Sequence, residues 1–127
     1  MPLPVTITFA ALYMLALIPL TGWIGLTRQK IGALRGDGGD PILFKRIRFH
    51  GNLTENGPAV ALALGGAESL GLDAAWLWAT VVLFILGRAL YFWLYDREIR
   101  ALPMVLTQFP AGGLALWCLY TLYFNAA

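Results

Sequence analysis

Apolar residues run almost unbroken along both ends of the chain. Met1 to Thr27 and Ala101 to Ala127 contain no charged side chain, and each exceeds the ~20 residues that a helix needs to cross a bilayer. The middle is interrupted. Only 12 uncharged residues separate Glu55 from Glu68, and only 14 separate Asp73 from Arg88. Two architectures fit this spacing: two spans flanking a small polar domain, or four spans whose inner pair carries ionisable groups at membrane depth. A polar domain needs amphipathic elements, yet "PAVALALGGA" and "AAWLWATVVLFILG" are apolar on every side. The pattern therefore predicts an all-α membrane protein, a single four-helix integral membrane domain over 1–127. Its helices lie near 4–27, 47–69, 74–95 and 102–125. "GDGGDP" (36–41) reads as a flexible turn within the first connection.

Composition agrees with a membrane environment. Of 127 residues 13% are charged, against roughly 25% in soluble domains. The first apolar run has no basic segment before it and is longer than a signal core, so it reads as a retained span. A net charge of +2, with no basic run interleaved with aromatics, speaks against a nucleic-acid partner. The single cysteine, Cys118, forms no internal disulfide, and the single histidine, His50, builds no metal site. Arg28, Lys30, Arg35, Lys45, Arg46 and Arg48 crowd the first connection, and Arg97 and Arg100 the third, whereas "ESLGLDAA" holds no Lys or Arg. The positive-inside bias then puts both basic connections in the cytoplasm and both termini outside.

The ionisable groups inside the spans carry the candidate chemistry. At 100° per residue, Arg48, Asn52 and Glu55 share one helix face, continued by Ala59 and Gly66, with His50 pointing nearly the opposite way. Arg88, Tyr91 and Tyr95 share a face of the third helix. Gln108, Ala111 and Ala115 line up on the fourth, with Arg100 at its start. Glu55 and Arg88 both fall roughly 10 Å inside the cytoplasmic boundary. Unpaired charge in hydrocarbon costs at least ~2.5 kcal/mol, so a Glu55–Arg88 pair is expected, within the chain or across a subunit contact. Lys45, Arg46 and Arg97 read as snorkelling or topology signals, and Trp76 and Trp78 as interface anchors. Arginines for carboxylates, a carboxylate and amide for an ammonium, and tyrosine hydroxyls suit a small zwitterion with more than one carboxylate.

"RFHGNLTENGP" resembles the Arg-x-x-x-Asn-x-x-Glu-x-x-Pro signature opening the second helix of the MAPEG family, the membrane-associated proteins of eicosanoid and glutathione metabolism. "RALYFWLY" (88–95) is similar to the third-helix pattern of its leukotriene C synthase branch, and "REIRALPMVLTQFP" to the next loop and helix of its prostaglandin E synthase branch. The resemblance implies a homotrimer in the plasma (inner) membrane of a bacterium, with glutathione bound as cofactor and thiol donor between neighbouring subunits. By the same resemblance Arg28, Arg48, Asn52, Glu55, Tyr91, Tyr95 and Arg100 are glutathione-contacting positions. Arg88, which matches a buried arginine, is also a candidate glutathione-binding residue, and Arg100 is the catalytic group that stabilises the thiolate. Gly51, Ala101 and Met104 depart from the prostaglandin-forming pattern, which argues against that isomerisation. The implied activity is a glutathione transferase acting on an apolar electrophile, or a peroxidase acting on a lipid hydroperoxide. A non-catalytic glutathione- or lipid-binding protein is the alternative. A small multidrug transporter fits poorly, because the first helix has no acid.

Overall fold

The computed structural model describes residues 2–125, folded into four helices: α1 Pro4–Ile31, α2 Pro41–Ser69, α3 Ala74–Trp93 and α4 Ala101–Phe124. Local chemistry explains where each begins and ends. Asp40 accepts from the Leu43 backbone N–H at 2.8 Å and Pro41 occupies the first turn, so α2 starts six residues before the predicted position 47. Asp73 caps α3 through the Ala75 N–H at 2.8 Å. Arg28 and Lys30 do not stop α1 at 27; Gly32 does, by adopting φ 71° and donating its N–H to the Arg28 carbonyl. α3 closes at Trp93 with the Leu94 N–H on the Leu90 carbonyl at 2.8 Å, two residues short of the expected end at 95.

α2 is the central element. It packs against the other three helices, whereas α1 and α4 do not meet. Helices consecutive in sequence run antiparallel: Glu68 at the end of α2 reaches the start of α1, while Lys45 near its beginning reaches Asp96 just past α3. Glu68 Oε1 accepts from Val5 N (2.9 Å), and Oε2 accepts from Thr6 N (2.8 Å) and the Thr6 hydroxyl (2.7 Å). The carboxylate thus satisfies N–H groups that the first turn of α1 cannot pair internally.

The core occupies the half of the bundle away from the basic connections. Phe9 meets Phe84 edge-on at 5.0 Å between centroids, and Val60, Leu64, Leu77 and Leu114 close around them. At the basic end the packing is aromatic and partly exposed, with Phe49 against Tyr91 (5.3 Å), Phe92 (4.6 Å) and Tyr95 (6.1 Å). Leu15, Leu62, Phe109 and Leu116 lie on the outer surface, the inverse of a soluble domain. α1, α3 and α4 are each long and apolar enough to cross a membrane.

Candidate functional site

The polar face of α2 straddles the boundary between interior and surface. Arg48 and Glu55, two turns apart, pair at 3.6 Å, with Glu55 exposed over 60% of its side chain. Asn52, between them, is turned inward and buried. Asn56 Nδ2 donates to the Asn52 carbonyl oxygen (2.8 Å) and approaches Asn52 Oδ1 (3.4 Å), while Gln108 of α4 donates to Asn56 Oδ1 (3.2 Å). These carboxamides tie α4 to α2 beside the Arg48–Glu55 pair. Asn56 went unnoticed in the sequence, although its i+4 spacing from Asn52 carried the signal. His50 turns to α1 and lies 2.9 Å from the Thr21 hydroxyl, consistent with its expected opposite direction.

Arg88 contradicts its expected partner within the chain. Its Nη2 donates to Thr107 Oγ1 (2.7 Å) and the Pro103 carbonyl (3.3 Å), and its Nε donates to Thr107 Oγ1 (3.2 Å). Equal depth did not bring Glu55 and Arg88 together, because Arg88 faces α4 while Glu55 faces out of the bundle. Gly87 makes this possible: a Cβ there would sit 2.6 Å from Thr107 Oγ1 and 2.9 Å from the Pro103 carbonyl oxygen. Arg88 is thus a tie between α3 and α4, its Cζ lying 5.2 Å from the Tyr91 ring centroid.

Tyr91 and Tyr95 pack edge-on at 5.9 Å, and Arg100 lies 5.9 Å from the Tyr95 ring centroid. Together with Leu94, Ile99 and Pro103 they line a hollow of about 20 Å³, far below the several hundred Å³ of ordinary small-molecule sites. Arg48, Asn52 and Glu55 do not line it. Arg28 stands elsewhere, its Nη1 donating to the Ala33 (3.3 Å) and Gly36 carbonyls and holding the loop after α1. The expected residues therefore form three groups in one chain: the α2 face, the Tyr91–Tyr95–Arg100 corner with Arg88 beside Tyr91, and Arg28 at the end of α1. Convergence on one hollow is not achieved within a single chain.

The profile of the MAPEG family matches residues 6–120, nearly the whole chain, including all three groups. The chain belongs to the MAPEG family. With three membrane-length helices, this MAPEG protein is a multi-pass membrane protein. No curated protein and no solved structure gives a significant match. Its donor set fits the glutathione-related chemistry of the family. Guanidinium groups can take the tripeptide's carboxylates, and Glu55 with the α2 amides can take its ammonium. Among the described residues no cluster of His, Cys, Asp and Glu could hold a metal ion.

Proposed function

We propose that this MAPEG protein is a glutathione transferase of the membrane, assembled as a homotrimer with α2 as its fourth span and both termini outside the cytoplasm. The carrying observation is the Arg48–Glu55 pair, held at 3.6 Å and left open on a helix face. Glu55 lies seven residues from Arg48, about 10 Å further along α2. An ionised pair open to hydrocarbon at that depth is costly, so a second copy covers it. The small Tyr91–Tyr95–Arg100 hollow points the same way, since a tripeptide needs a further wall.

In this reading Arg48, and Arg28 contributed by either copy, bind the two carboxylates. Glu55 and Asn52 hold the ammonium, and the Tyr91 and Tyr95 hydroxyls anchor the peptide. Arg100 sits at the exposed start of α4, where its guanidinium favours negative charge on the sulfur and lowers the thiol pKa from about 8.5. Once bound, glutathione supplies a thiolate nucleophile for an apolar electrophile arriving from lipid, or for a lipid hydroperoxide. Arg88 bonds to Thr107 through Nε and Nη2 and lies against Tyr91, with Nη1 left unpartnered.

The test is conjugation by the detergent-purified protein across a panel of apolar electrophiles. Arg100→Ala should lower kcat by at least tenfold with little change in KM for glutathione. Arg48→Ala should raise that KM while sparing kcat. Unchanged kinetics in both variants would refute the assignment.

A further inference from the structure

Opposite the α2–α4 polar seam, α1 and α3 splay apart over α2 and leave a groove of about 430 Å³. Its walls are Phe9, Leu12, Ala16 and Leu20 from α1 and Phe84 and Ile85 from α3, floored by Leu53 of α2. Arg88 and Tyr91 also border it; Nε and Nη2 of the guanidinium bond to Thr107 and Pro103, and Nη1 is buried without a hydrogen-bond partner. At its basic end the groove meets a second hollow of about 380 Å³, sharing Phe49 and Phe92 and adding Trp23, Lys45 and Arg46.

We propose that this continuous groove is a binding site for one anionic phospholipid, its acyl chain between α1 and α3 and its phosphate at Arg46. Length supports the first half. Phe9 and Leu20 lie 11 positions apart on α1, about 16 Å at 1.5 Å per residue, close to the ~15 Å of one hydrocarbon leaflet. Charge supports the second. Lys45 is paired with Asp96 at 2.8 Å, so the two compensate each other. Arg46 stacks 4.1 Å from the Trp23 ring centroid and donates through Nη1 to the Thr27 hydroxyl, with no acidic partner among the described residues. It is an oriented cation at the mouth of an apolar slot, three residues beyond Leu20 by way of Trp23. A phosphodiester with an acyl tail has that polarity and that reach; with Lys45 and Asp96 compensating each other, Arg46 leaves the mouth one net positive charge, which an anionic headgroup neutralises and a net-neutral zwitterionic one does not. The groove shares Tyr91 with the proposed glutathione residues, but the lipid is held by the α1–α3 slot and Arg46, which that reading does not use.

Trp23 reports on it directly. The detergent-purified full-length protein is titrated with phosphatidylglycerol or phosphatidylcholine carrying brominated acyl chains, with Trp23→Phe identifying the Trp23 share of the quenching. Saturable quenching at Trp23 should favour phosphatidylglycerol by about five-fold, the factor one interfacial cation contributes. Arg46→Gln should remove that preference and Ala16→Phe, which fills the slot, should remove the saturable component. Equal quenching by both lipids, or unchanged quenching in Ala16→Phe, would overturn the proposal. A disulfide formed between two copies through Leu12→Cys would also overturn it, by showing that a second chain occupies the groove.

Discussion

Replacing Thr107 by valine isolates the tie between α3 and α4. The side chain is 1% exposed. Its hydroxyl donates to the Pro103 carbonyl (2.8 Å) while accepting from Arg88 Nη2 (2.7 Å) and Nε (3.2 Å). Valine keeps the shape and removes the side-chain oxygen bonded to Arg88, leaving that guanidinium the Pro103 carbonyl at 3.3 Å. A hydrogen bond to a charged group contributes about 1.5–3 kcal/mol. Two share one oxygen here, and Arg88 can turn partly towards its carbonyl neighbour, so the expected loss is about 2–4 kcal/mol. Thr80→Val is the control: Thr80 is also buried, but its hydroxyl donates to the Trp76 carbonyl of its own helix at 3.0 Å. That change should cost under about 1 kcal/mol, since back-bonding of this kind adds little to a helix. Reversible unfolding in mixed micelles of mild and denaturing detergent, followed by tryptophan fluorescence, measures both. A Thr107→Val loss no larger than that of Thr80→Val would refute the reasoning.

Two further substitutions probe other joints. Glu68→Ala removes three hydrogen bonds from the start of α1 and a favourable charge at its N-terminus. The site is partly solvated, which reduces each contribution, so about 1–3 kcal/mol should be lost in the same unfolding assay. Hydrogen exchange of the Val5 and Thr6 amides should rise. Gly57→Ala places a methyl group into the Tyr13 ring that crosses α2 at that point, and overpacking of this kind costs about 1–3 kcal/mol. An alanine variant as stable as the parent would show that Tyr13 swings aside freely.

The helices were legible because lipid selects apolar residues at every position of a span, and caps mark their ends. The start of α2 was misplaced because Lys45 and Arg46 look like loop residues, whereas the Asp40–Pro41 pair sets the boundary. Arg48, Asn52 and Glu55 were legible as one face from their spacing alone. The partner of Arg88 was not. Depth can be counted along a sequence, but the direction a helix faces depends on which neighbour it packs against, and Gly87 draws α3 onto α4. Thr107 sits in an apolar run with no motif of its own, so its role as acceptor becomes visible only in three dimensions. Glu68 first marked the limit of an uncharged segment; its capping of α1 depends on a contact 63 residues away in sequence.

The most direct measurement is the ultraviolet absorbance of the purified protein as glutathione is added at neutral pH. A free thiol with a pKa of about 8.5 is mostly protonated there. A saturable thiolate band, growing with glutathione and absent in Arg100→Ala, is the expected result. Saturable binding without that band, or a band of full size in the variant, would contradict thiol activation at the start of α4.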